Sequence, residues 1–148
     1  MILSNNGEKP YEVIDHTADV GILAKGKCVE EVFANTAKGM FEIIATKDSI
    51  EKREVRMVEV EGDDLIYVYK KWLEELLYLF ETEGLIFSRF EVRIEKNGDL
   101  YKIKSKAYGE KFNPEKHGSG PEIKAVTYHM MDIWKEDETY YGQVIFDI

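Results

Sequence analysis

A single cysteine, Cys28, stands among 148 residues, so no disulfide can form within the chain. That suits a reducing compartment. Basic residues are in short supply: 20 Lys and Arg face 29 Asp and Glu, a net charge of −9. Affinity for nucleic acid comes largely from neutralising phosphates, so a broad grip on RNA is not expected, and RNA contact would be local or indirect. No apolar run approaches the ~20 residues of a membrane span. The first ten residues carry one lysine and no apolar signal segment, and the expected location is the cytoplasm. Also absent are a G-x-S-x-G elbow, a Walker-type phosphate loop and a G-x-G-x-x-G turn after a strand. Gly118-Ser119-Gly120 lacks the lysine and the following helix of a phosphate loop, and reads as a flexible connection. The three histidines, His16, His117 and His129, are far apart and have no zinc-type spacing. Cys28 sits at a helix start beside Lys27 and reads as a small packing residue rather than a nucleophile.

What is present is enough apolar residue, 44%, to build one core. Residues 1–10 read as an N-terminal lead and 11–148 as a single domain. Residues 11–15 and 20–25 read as short strands around a polar His-Thr-Ala-Asp turn. Apolar residues from Val29 to Ile44 recur at three- and four-residue spacing, which predicts a helix over 29–45. Gly39 inside it implies a close neighbour, since glycine there costs about 1 kcal/mol relative to alanine. A strand is expected over 54–61, then a break and helix N-cap supplied by Gly62-Asp63-Asp64, with the helix running to about Glu81 and stopped at Gly84. Alternation from Phe87 to Lys96 and from Tyr101 to Ala107 predicts a hairpin, with Asn97-Gly98 as a type I′ turn. Residues 109–121 read as a long polar loop. Strands follow over 122–134 and 139–146, joined at Asp137-Glu138. The expected class is α+β: two helices packed on one face of a largely antiparallel sheet of about seven strands.

Carboxylates are the candidate chemistry. Asp15 and Asp19 flank the first turn, and alone each would be an ordinary turn former. Asp147 precedes the last residue, Ile148, whose α-carboxylate is ionised above about pH 4. If the last strand runs beside the first, Asp19, Asp147 and that carboxylate converge. Three carboxylates in one place call for a cation, and oxygen-only ligands favour Ca²⁺ or Mg²⁺ over zinc.

The stretch YEVIDHTADVGILAKG with the EEVFANTAKGMFEII helix resembles the N-terminal signature of the archease family. VEGDDLIYVYKKWLEELLYLFETEGLIF resembles that family's second helix, and AYGEKFNPEKHGSGPEIKAVTYHMM with the closing VIFDI resembles its C-terminal half. The resemblance spans residues 11–148. It implies an accessory protein of the RtcB-type tRNA-splicing ligase, not itself an enzyme, that promotes GTP-dependent ligase guanylylation and multiple turnover. It also implies a divalent-cation site, with Ca²⁺ ahead of Mg²⁺, held here by Asp19, Asp147 and Ile148. Lys124, Thr127 and His129, with His16, are marked as positions of contact with the ligase; a sheet-stabilising reading stands level with it for Lys124, Thr127 and His129. Two readings compete: a chaperone-like protein-binding module, and a metal-dependent hydrolase with His16 as base.

Overall fold

The computed structural model describes residues 9–15, 18–47 and 49–148. In chain order the elements are β1 (Tyr11–Asp15), β2 (Asp19–Gly26), α1 (Val29–Ile44), β3 (Glu54–Gly62), α2 (Leu65–Glu83), β4 (Leu85–Asn97), β5 (Leu100–Lys111), α3 (Pro114–His117), β6 (Ala125–Glu136) and β7 (Thr139–Asp147). The class is α+β, as expected. The strands form two antiparallel sheets rather than one: β1-β2-β7-β6 and β3-β5-β4. Alternation along a strand reports which side chains are buried, not which strand lies alongside, so the division was not legible from pattern.

α1 and α2 each serve both sheets. α1 packs on β1, β2 and β7 of the first and on β4 of the second, while α2 packs on all three strands of the second and against β6. One core results, with Phe33, Phe41, Trp72, Phe87 and Phe146 inside it. Gly39 is required at the α1–sheet contact, because a Cβ there would lie 2.8 Å from Ile22 Cδ1. Two buried hydroxyls tie the layers. Trp72 Nε1–H donates to Ser105 Oγ at 2.8 Å, and Ser105 in turn donates to the Val58 carbonyl. Thr36 Oγ1 donates to the Val32 carbonyl, so the Tyr69 hydroxyl 2.6 Å away donates to Thr36. Burial pushes the Tyr69 hydroxyl pKa up.

The helix punctuation follows the sequence. Asp64 accepts from the Ile66 N–H at 3.2 Å, and Gly84 closes α2 at φ +69°. The hairpin turn is shifted by one residue from expectation. Asn97 pairs with Leu100, leaving Gly98-Asp99 as the two-residue loop, with Gly98 at φ +62°. A glycine first is the type II′ arrangement, which needs positive φ at that position alone. The expected loop over 109–121 is also shorter: β5 extends through Lys111, and α3 supplies one turn capped by Asn113.

Candidate functional site

β2 and β7 bring Asp19 and Asp147 together. Their antiparallel register sets Asp19 directly opposite Asp147, and Ala125 of β6 pairs with Asp147 on its other side. The last strand, β7, runs beside β2, which begins at Asp19, and not beside the first strand, β1. The Ile148 N–H donates to the Ala18 carbonyl at 3.3 Å, so the Asp19–Asp147 pair is of the non-hydrogen-bonded kind. In such pairs Cα atoms lie ~4.5 Å apart and the side chains are closest. Two carboxylates are thus opposed with no basic side chain bridging them among the described residues. Asp19 Oδ1 is buried and has no hydrogen-bond partner, while Asp147 is exposed and Ile148 half-buried.

This donor set fits a hard cation. An orphaned carboxylate oxygen beside a second carboxylate lacks a positive partner, and an oxygen-only set suits Ca²⁺ or Mg²⁺. Among the described residues no three His, Cys, Asp or Glu side chains gather as a metal cluster, so the set consists of Asp19 and Asp147 plus what Ile148 contributes. His16 lies outside the described residues.

Lys124, Thr127 and His129 are spread along β6 and its approach. Lys124 is exposed, and its backbone N–H donates to the Asp147 carbonyl at 2.8 Å, tying β6 to the acidic tip. It borders a groove whose opposite wall is α2, with Lys71, Glu74, Tyr78 and Glu81. Thr127 is half-buried and its hydroxyl donates to the Ile145 carbonyl at 2.8 Å, a sheet contact. His129 is exposed in a bulge, where the β6–β7 register slips between Thr127 and Asp132. Lys124 and Thr127 thus touch the strands of the tip, and His129 stands apart from it.

The basic stripe Lys102, Lys104 and Lys106 is neutralised by its neighbours. In register, Glu61, Glu59 and Met57 face it from β3, and Glu95, Arg93 and Glu91 from β4. Lys104 lies 3.5 Å from Glu95, and Lys102 lies 4.0 Å from Glu61. A mixed surface of this kind gives no phosphate-binding field.

One charged cluster carries no signal in the sequence. Glu110 is 7% exposed and accepts from the Glu51 N–H at 2.8 Å, from His117 Nε2 at 2.9 Å and from Lys116. His117 Nδ1 accepts from the Asn113 N–H, which places the ring proton on Nε2. Burial pushes the Glu110 carboxyl up, but the Glu51 N–H, His117 and Lys116 together pull it down to about 2. The cluster joins the segment after α1 to α3, and so steadies the approach to β6. A glutamate at the end of an alternating strand gives no warning that it turns inward.

The family model of the Archease protein family (MTH1598/TM1083) matches residues 11–148. The chain belongs to the archease family. Protein archease of Pyrococcus abyssi is 48% identical over 141 residues, 95% of this chain and 99% of that one. Protein archease of Methanopyrus kandleri is 35% identical over 139 residues, 94% and 99% of the two chains. Among solved structures, Methanobacterium thermoautotrophicum protein 1598 superposes with TM-score 0.83 at 40% identity, covering 94% of this chain and 99% of that one. A Thermotoga maritima archease, described as a possible chaperone, gives TM-score 0.57 at 21% identity over 98% and 100% of the chains, and shares the fold. In this chain the opposed Asp19–Asp147 pair lies where β2 begins and β7 ends in the four-stranded sheet.

Proposed function

We propose that this archease activates an RtcB-type tRNA-splicing ligase, promoting ligase guanylylation from GTP and repeated turnover in tRNA splicing, without itself being an enzyme. The observation that supports this reading is the cross-strand opposition of Asp19 and Asp147, with Asp19 Oδ1 buried and unpartnered. In this proposal Asp19, Asp147 and Ile148 hold a divalent cation, Ca²⁺ before Mg²⁺, with Ile148 contributing a carboxylate oxygen where it ends the chain. The cation's role is electrostatic: it neutralises opposed carboxylates. Asp19 and Asp147 then hold the ends of β2 and β7 together as a braced docking tip. Lys124 stands at that tip through its bond to the Asp147 carbonyl, and with Thr127 and His129 it is offered to the ligase. The acidic balance of −9 suits a protein partner or a basic ligase surface better than RNA.

The test is the rate of ligase guanylylation with and without this protein, in Ca²⁺ and in chelator. Asp19→Ala, and a short tag appended after Ile148, are each expected to abolish the stimulation while the variants remain folded by circular dichroism. Undiminished stimulation by both refutes the cation tip. The second reading is a chaperone-like module, favoured by half-exposed Tyr78, Tyr128 and Met130 on neighbouring elements. Suppressed aggregation of an unrelated client, with no effect on the ligase, is the outcome that selects it.

A further inference from the structure

The four-stranded sheet has a second face, turned away from the helices. Residues alternating with the core positions Val20, Ile22 and Val144 point there. One cross-strand row on this face reads Glu12, Leu23, Gln143, Asp132 across β1, β2, β7 and β6. The next row sets Trp134 beside Tyr141, their rings stacked 5.6 Å apart at 17°. Gln143 is only 4% exposed. Its Nε2 donates to the Met130 carbonyl at 2.9 Å, but its Oε1 is buried and receives no donor. Glu12 Oε2, in the same row, is likewise buried and has no hydrogen-bond partner. Leaving such an acceptor unmet costs ~1–3 kcal/mol.

Gln143 also borders a hollow of about 460 Å³, lined with Met130, Met131, Asp132 and Trp134. Its rim is built, not incidental. Residues 128–131 oppose Val144 alone, and Met130 is held at φ +55°, a conformation disfavoured for a side chain bearing a Cβ. The Gln143–Met130 bond holds that bulge in place. Asp132 Oδ1 accepts from the Ile133 N–H, which leaves Oδ2 for an incoming donor. The groups offered here therefore attract a donor: a carboxylate oxygen of Asp132 and the aromatic face of Trp134.

A hard metal ion takes oxygen ligands, and thioethers and an indole are not among them. A guanidinium fits better. It is planar, carries five N–H donors and no acceptor, and stacks on aromatic faces, while its stem tolerates an apolar lining. We propose that this hollow receives an arginine side chain from a partner protein. Its guanidinium stacks on Trp134 and donates to Asp132 Oδ2, with Met130 and Met131 against the stem. A partner with an arginine-bearing basic surface is also what a chain of net charge −9 attracts. The site uses none of the residues of the proposed cation tip, and the inference stands or falls separately from it.

The test titrates the full chain with N-acetyl-arginine amide and, in parallel, with N-acetyl-citrulline amide, its uncharged near-isostere. Resonances of the Gln143 side-chain amide and the Trp134 indole N–H report binding. Arginine amide is expected to give saturable shifts, with Kd on the order of 1 mM for so small a ligand. Citrulline amide is expected to bind at least about tenfold more weakly, as is arginine amide to Asp132→Asn, which keeps the Oδ1 bond to Ile133. Asp19→Asn is expected to leave the titration unchanged, which separates failure here from failure of the cation tip. Shifts linear in concentration, or equal responses to arginine and citrulline, overturn the proposal.

Discussion

Asp19→Asn is expected to reverse its effect on stability with the cation. In chelator, Asp19 and Asp147 are like charges in a non-hydrogen-bonded cross-strand pair. Opposed like charges of this kind destabilise a sheet by ~0.2–1 kcal/mol. An asparagine removes the repulsion, and its amide can donate to the Asp147 carboxylate, so the variant gains up to about 1 kcal/mol. In Ca²⁺ the order inverts. A cation that binds only the folded wild type at 100 times its Kd stabilises by about 2.7 kcal/mol, and the variant forgoes most of that. The wild type should then lead by roughly 2 kcal/mol, the difference of those two figures. Urea unfolding of both proteins, in EDTA and in CaCl₂, measures all four stabilities. A variant less stable than wild type in EDTA, with Ca²⁺ moving neither protein, would refute the reasoning, because the buried Asp19 oxygen would then serve a purely structural purpose.

Glu110→Gln tests the buried cluster by pH. The folded carboxyl sits at about 2 against an ordinary 4.5, so its contribution is complete above about pH 5 and lost as pH falls from 4.5 towards 2. The variant should lose about 3 kcal/mol at pH 7 and much less near pH 2.5, and a pH-independent deficit in urea unfolding contradicts this. Met130→Gly should raise the thermal midpoint, since releasing a residue at φ +55° recovers ~1–2 kcal/mol, of which greater unfolded-chain freedom takes back ~0.5–1. Gly109→Ala should destabilise by about 3 kcal/mol or more, because its Cβ would stand 1.8 Å from the Ile86 carbonyl oxygen; calorimetry is the check.

By itself the sequence determined the local elements. Apolar spacing placed both helices within two residues of their ends, and Asp64 and Gly84 act at α2's termini as short acceptors and glycines do. Alternation placed the strands, though the turn expected at Asn97-Gly98 falls one residue later, at Gly98-Asp99, because a glycine serves the first position of a II′ turn as well as the second of a I′ turn. The acidic residues Asp19 and Asp147 were visible too, but their meeting hung on which strand runs beside the last one. Only tertiary structure decided that there are two sheets, that β7 lies between β2 and β6, and hence that Asp19 meets Asp147. It alone turned Glu110 inward onto His117 and left Gln143 and Glu12 with unmet oxygens on one face. The reason is physical. Propensity and periodicity act over a few residues, whereas the environment of a carboxylate is set by whichever strands the shared core brings beside it.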